Sequence, residues 1–350
     1  MGKVNDKTDF FKYVDSFAKD AGVNSLLIKG DISSVAPAVT IAIPTYKRPE
    51  FIKCAIDSAL AQKDFDNYEV VVVDNDPERD TETEKIVCAI DNPKLKYYKN
   101  AENLGMFGNM NRCIKLSRTK WIAYLHDDDI LSPDFLYRIF GVVGRFGKIS
   151  MLCSRHNMVV YDGKDYKDAP KALYHKFEGG FCKMRLKDFS HYYPVRSTGC
   201  VFQREKAVRL GGFNPDFYPT SDYVFSAIYS YNYGCYDYNR YLYNYRMGLN
   251  ESANPETYKK TFLNDYYLQL AIEKKYGRNS DFITKTVEAN TLRNRVRLKI
   301  YGITSLDFAN EIITGNAKKI HAIYNDAVMM WGRGRKIFCF IISKLLLGVK

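Results

Sequence analysis

The chain has 350 residues, of which 46% are hydrophobic and 26% charged, with 52 Lys+Arg against 40 Asp+Glu. That length holds one large or two ordinary domains, and the apolar share is enough to bury a core, which excludes a mainly disordered chain. The net charge of +12 bears on partners rather than on fold, and residues 251–350, with 17 Lys+Arg and 9 Asp+Glu, supply +8 of it.

The N-terminal stretch, residues 1–36, reads as a short helical extension, with Phe10, Phe11, Val14, Phe17 and Ala18 at helical spacing, followed by a loop. It mixes Lys, Asp and Phe without an apolar run, unlike a secretory signal. From Val39 short apolar strands alternate with amphipathic helices. VTIAI (39–43) and YEVVVVD (68–74) are β-branched runs of the kind that form strands buried on both faces. Helices are expected over Pro49 to Gln62, 81–90 and Asn109 to Ser117, with further strands over 95–100 and 120–129. This rhythm predicts an α/β fold with a doubly wound, mostly parallel sheet that binds ligands at the carboxyl ends of its strands.

After about residue 150 the alternation fades. A strand is expected near 151–160, another over Gly199 to Gln203, a helix over 221–234 with Ser221 as N-cap, and Tyr-rich strands over 235–248. Beyond Asn250 the chain reads as helical and basic. The chain therefore divides into an extension (1–36), an α/β unit (37–250, in parts 37–130 and 131–250), and a basic helical extension (251–350). The eight cysteines stand singly, without CxxC spacing, and read as reduced core thiols of a cytosolic protein.

Three adjacent carboxylates, Asp127, Asp128 and Asp129, follow His126 at the end of a strand. They repel one another unless a shared cation holds them, and hard divalent ions prefer such oxygen ligands. The alternative is acids at a helix N-terminus, but Ser132-Pro133 supplies a separate cap downstream. Asp74 also ends a strand, where it forms a turn or accepts a base N–H. Tyr46 stands two residues past Pro44, and Asp222 opens a helix as either a helix-end acid or a general base. No GxxxxGK[ST] loop, dinucleotide glycine pattern, GxSxG elbow or HExxH motif occurs.

The order VTIAIPTYKRPE, YEVVVVDND, NAENLGMFGNMNR and WIAYLHDDDILSPD resembles family-2 inverting glycosyltransferases of the GT-A fold over about residues 38–250. The resemblance implies that Pro44, Thr45, Tyr46 and Asp74 cradle the nucleotide base, and that Asp127 approaches the ribose. It implies that Asp128, with Asp129, binds Mn2+ or Mg2+ at the diphosphate. His126 departs from the acid that many relatives carry first in this element. Met110-Asn111 stands where the family often has Arg-Asn, so Asn111 inherits a nucleotide contact. In GGFNPDFYPTSDYVF, Asp222 inherits the base role, and Arg246 in YRMGLNES is a weaker phosphate contact.

The expected reaction is a single, non-processive transfer from a nucleotide-sugar, UDP-linked by similarity, to a glycan or lipid-linked acceptor in surface polysaccharide synthesis. No QxxRW motif or spanning helix of ~20 apolar residues is present. Residues 333–350 pair Arg333, Arg335 and Lys336 with two apolar clusters, the composition of an interfacial helix drawn to anionic lipid. The expected location is thus the cytoplasmic face of the cell membrane. The alternative for this helix is packing on the protein's own core or on a second subunit, as a homo-oligomer. A sugar-phosphate nucleotidyltransferase would show a Gly-rich loop after the first strand, and PTYKRP has none. A non-catalytic membrane- or nucleic-acid-binding module accounts for the charge but not for the acids at a strand end, so nucleic acid is not the expected partner.

Overall fold

In the computed structural model, which describes residues 4–32, 34–161, 166–168, 179–190, 197–247 and 254–277, the apolar runs of the first half lie side by side within one sheet. Strands β1 (Ser25–Lys29), β2 (Val39–Thr45), β3 (Tyr68–Asp74), β4 (Leu95–Asn100) and β5 (Trp121–Tyr124) build its first half. Helices α1 (Pro49–Leu60), α2 (Glu82–Ala89) and α3 (Gly105–Leu116) connect them. The second half adds β6 (Ile130–Leu131), α4 (Phe135–Arg145), β7 (Met151–Tyr161), β8 (Tyr166–Asp168), β9 (Phe181–Met184), β10 (Cys200–Gln203), α5 (Arg204–Arg209), α6 (Ser221–Tyr233), β11 (Cys235–Met247) and α7 (Pro255–Lys275).

The main path of the sheet runs β1-β4-β3-β2-β5-β10-β7-β11-β6. Strands β4, β3, β2 and β5 are parallel, with Val39 opposite both Tyr68 and Trp121. The order grows from β2 through β3 to β4, then reverses when β5 returns to the other side of β2. Such a reversal opens a crevice above the carboxyl ends of the two central strands, because their crossover helices leave to opposite faces.

The parallel strands β2 to β5 are buried on both faces, as a parallel sheet requires. Val39, Ile41 and Ile43 of β2 and Val70 and Val72 of β3 face one core with α1 and α4, in which Ile52, Ile56, Phe135 and Ile139 are fully covered. Ala42, Val71 and Val73 face the second core, with Phe107, Ile114, Phe213, Tyr223 and Phe225.

Several elements differ from expectation. The N-terminal segment contains a 3-10 turn (Ser16–Asp20) and the edge strand β1, antiparallel to β4, rather than an α-helix. Helix α3 begins at Gly105, four residues before the expected start, and β5 ends at Tyr124, leaving the acids in a loop. Ser132 caps nothing, since α4 starts at Phe135, and Thr220 rather than Ser221 precedes α6. The Tyr-rich run forms one long strand, parallel to β7 and antiparallel to β9 and β6. Cys153 and Cys200 stand opposite each other in the β7–β10 ladder and are joined by a disulfide, against the expectation of thiols only. A sequence separation of 47 gives no hint of that register. Cys54, Cys88, Cys113, Cys182 and Cys235 are not disulfide-bonded. No helix among the described residues is long and apolar enough to cross a membrane, and residues 278–350, with the basic segment 333–350, lie outside the described residues.

One polar group is buried deep in this frame. Lys99, with a side chain 3% exposed, lies 3.2 Å from Asp74 and 3.3 Å from Glu84. Tyr97 Oη donates to Asp74 Oδ2 at 2.7 Å. Burial alone would raise the Glu84 carboxyl, yet Arg79 and Lys99 hold it below its ordinary value. Removing this cation leaves the buried Asp74 without an opposite charge, while Glu84 keeps Arg79, so Lys99→Met is expected to cost about 3–5 kcal/mol in denaturant unfolding. A variant as stable as the wild type would show that the network contributes nothing to the fold.

Candidate active site

The crevice is built by three strand ends. Strand β2 delivers Pro44, Thr45 and Tyr46; β5 passes through Leu125, whose N–H donates to Ala42 O at 3.0 Å, into the loop His126 to Asp129. Thr45 Oγ1 donates to Asp127 Oδ2 at 2.7 Å, which ties the two strand ends together across the reversal. Tyr46 is 43% exposed beside them, so its ring is accessible for stacking. Arg48, the residue before Pro49 of α1, places Nη1 2.7 Å from Asp128 Oδ2 and 3.7 Å from Asp127 Oδ1. Arg246 reaches over the same loop from β11: its backbone N–H donates to Asp129 Oδ1 at 3.2 Å, its Nε donates to the carbonyl of Asp128, and its guanidinium lies over Phe51. The pairing of β11 with β6, Asn244 opposite Ile130, puts Arg246 there.

His126, Asp128 and Asp129 each offer a ligand atom within 4.8 Å of the others. Ser197 Oγ lies 2.8 Å from His126 Nε2, which gives the imidazole an orienting partner as metal-bound histidines have, and Thr198 Oγ1 accepts from the His126 backbone N–H. This nitrogen and oxygen donor set fits a divalent cation. The expectation of two acids thus extends to His126, which the sequence marks only as a departure from the acid usual there. Arg48 likewise goes unnoticed in the sequence, although PTYKRP places it one turn from the strand end.

Two expected nucleotide residues have other tasks. Asp74 is 0% exposed and accepts from Tyr97 Oη, Lys99 Nζ and the N–H of Asp76, so its carboxylate anchors the 74–76 turn instead of standing open to a base. Asn111 is 2% exposed; its Oδ1 accepts from Phe213 N and its Nδ2 donates to Phe213 O, both at 2.8 Å. Both ends of its amide hold the loop before α6. Asp222 sits in the first turn of α6, where its Oδ1 accepts from the N–H of Tyr223.

Burial, with Asp128 beside it, pushes the Asp127 carboxyl up to about 7 against the opposing pull of Arg48 and Thr45. A carboxyl raised on folding favours the folded state while protonated, so its contribution is present below the ordinary carboxylate range and is lost as pH climbs towards 7. Metal-free Asp127→Asn is therefore expected to gain stability relative to the wild type between pH 4 and pH 8, by a few kcal/mol at most. Paired thermal melts at the two pH values measure this, and a constant difference would contradict it.

Residues 40–210 match Glycosyl transferase family 2. Among curated relatives, the chain is 32% identical over 152 residues to an uncharacterized glycosyltransferase of Rickettsia bellii, and 40% identical over 103 residues to the succinoglycan biosynthesis protein ExoO of Rhizobium meliloti. The matches cover 43% and 29% of this chain but only 21% and 29% of those proteins. Among solved structures, S. aureus TarS 1–349 in complex with UDP superposes with a TM-score of 0.54 at 14% identity, over 89% of this chain and 92% of that one. The mannosyltransferase PcManGT of Pyrobaculum calidifontis, in complex with GDP-Man and Mn2+, gives 0.51 at 15% identity, over 91% and 90%. The strand order, the acid loop at its reversal and the matched residues agree, and residues 40–210 carry a glycosyl transferase family 2 domain with the GT-A fold.

Proposed function

We propose that the protein moves one sugar from a nucleotide-sugar to a hydroxyl of a glycan or lipid-linked acceptor, with inversion, in surface polysaccharide synthesis. The observation that carries this reading is the group of Thr45, Arg48, His126, Asp127, Asp128, Asp129 and Arg246 at the sheet reversal, which combines sugar hydrogen-bonding groups, a cation site and two guanidinium groups for phosphate. The naming of ExoO as a succinoglycan biosynthesis protein supports a polysaccharide product. UDP in TarS and GDP-Man in PcManGT support a nucleotide-sugar donor without choosing the base, and UDP remains our choice from the motif around Tyr46.

In this reading the base lies over Tyr46, beside Pro44, and Asp127, steadied by Thr45, meets the ribose. Mn2+ or Mg2+ on His126, Asp128 and Asp129 would offset the charge that develops on the departing nucleoside diphosphate. Arg48 and Arg246 add fixed positive charge at the same place. Asp222 takes the proton of the acceptor hydroxyl while that oxygen forms its bond to the anomeric carbon. The bond from that carbon to the diphosphate breaks on the opposite face, which inverts the centre. The base role of Asp74 is not retained, because its carboxylate is committed within the fold.

The basic segment 333–350 is proposed, on its sequence alone, to hold the protein against an anionic membrane at the cytoplasmic face, where a lipid-linked acceptor would be met. Self-association is the competing use of that segment. Sedimentation with anionic liposomes should fall when 333–350 is deleted, and unchanged sedimentation would remove the membrane from the proposal.

A thermal-shift screen of UDP-, GDP- and dTDP-sugars with Mn2+ identifies the donor. With that donor, Asp222→Asn is expected to lose ~10²–10⁴-fold in turnover while binding nucleotide as before; wild-type turnover would refute the base assignment. His126→Ala is expected to weaken Mn2+ binding at least ~10-fold in an EPR titration, and unchanged affinity would take His126 out of the donor set.

A further inference from the structure

The loop that leads into Asp222, Gly211 to Thr220, is held from three sides, two of them outside residues 40–210 that match the family. From α3, Asn111 grips both backbone groups of Phe213. From the N-terminal segment, the N–H of Ser16 donates to Gly211 O at 3.0 Å, Phe10 stacks on Phe217 with ring centroids 5.0 Å apart, and Lys19 Nζ reaches Asp216 at 2.8 Å. From α7, Asn264 Nδ2 donates to the carbonyls of Phe217 and Tyr218. The fit is close: a Cβ on Gly211 would stand 2.0 Å from Val14 O, and one on Gly212 would stand 2.4 Å from Asn111 Oδ1 and 2.9 Å from Phe17. Both glycines also have positive φ, +83° and +75°, which other residues rarely adopt.

The N-terminal segment is in turn fastened to α3. Arg112 donates to the carbonyls of Asp20 and Val23 and to Ser25 Oγ, and Lys115 donates to Phe17 O. The start of the same helix holds the donor half, because Asn109 Nδ2 donates to Val73 O at 3.0 Å and lies 3.4 Å from Thr45 O. One rigid helix thus touches the end of β2 with Asn109 and the α6 loop with Asn111, two residues later. Exposed ion pairs such as Lys19–Asp216 contribute little to stability; the buried amide pair and the Phe10 contact carry the grip.

We propose that residues 10–19 and Asn111 form a brace that sets the position of Asp222 relative to the donor site, with Asn111 as the main positioning residue. This rests on the reading of Asp222 as the base. A displacement of about 1 Å at a reacting group can cost ~10²-fold in rate, so loosening the brace should lower turnover while leaving the nucleotide site intact. A structural role alone would instead lower stability and add to the loss from any other variant.

The test is a double-mutant cycle. Asn111→Ala and Phe10→Leu are each made in the wild type and in Asp222→Asn, with Asn111→Ser as the milder variant should the alanine fail to fold. Turnover is read as nucleotide release from the donor found in the thermal-shift screen, and binding as the Kd of the matching nucleoside diphosphate with Mn2+. In the wild type each variant is expected to lower turnover by ~10–100-fold and to leave Kd within about twofold; in Asp222→Asn it should cost less than about twofold more. Unchanged turnover, a loss of the same factor in both backgrounds, or a loss explained by weaker Kd would overturn the brace. Asp222→Asn with wild-type turnover would instead remove the base reading beneath it, a distinct outcome.

Discussion

The candidate site follows from the reversal of strand order between β2 and β5. Parallel strands force their crossover helices to one face or the other, so the point where the order turns leaves two strand ends uncovered. Here those ends are Thr45 and the loop after Tyr124, and a buried hydrogen bond from Thr45 to Asp127 locks them into one floor. The apolar alternation within β2 and β3 buries both faces of the sheet and leaves only the ends to carry polar groups.

The second constraint is charge. Three consecutive carboxylates would push the loop apart, and the fold answers with cations from both sides: Arg48 from the start of α1 and Arg246 from β11. Arg48 pairs with the same Asp128 that a divalent ion would use, so the loop keeps its shape with part of its charge already offset. Deeper in the sheet the same solution recurs, where Lys99 joins Asp74 and Glu84, and Lys96 joins Glu69 at 2.6 Å. The Lys99 pairs lie at the carboxyl ends of β3 and β4, beside the crevice, and the Lys96 pair at their amino ends.

The first half of the fold was legible because local pattern and tertiary burial agree there. VTIAI and YEVVVVD read as two-face-buried strands and are, and the acids at the end of WIAY fall where a parallel sheet places ligands. Strand β4 was legible as a strand but not for its buried lysines, whose carboxylate partners lie 15–27 residues away. The second half was harder, since β7, β10 and β11 pair across long separations that no periodicity reports, and the N-terminal segment takes its form from α3 rather than from its own spacing. Of the candidate site, Thr45, Asp127, Asp128, Asp129 and Arg246 come together. Asp74 and Asn111 resemble ligand contacts in one dimension but are consumed by hydrogen bonds that only the folded chain reveals. His126 was visible as an oddity whose meaning depended on its nearness to Asp128 and Asp129.

In the proposed function the strand ends around Thr45 and Asp127 to Asp129 form a cation-assisted nucleoside diphosphate site. Isothermal titration of the protein with UDP, in Mn2+ and again with chelator, addresses it most directly. The account predicts binding in Mn2+ that weakens at least ~10-fold when the ion is removed. UDP that binds equally well in both conditions would contradict it.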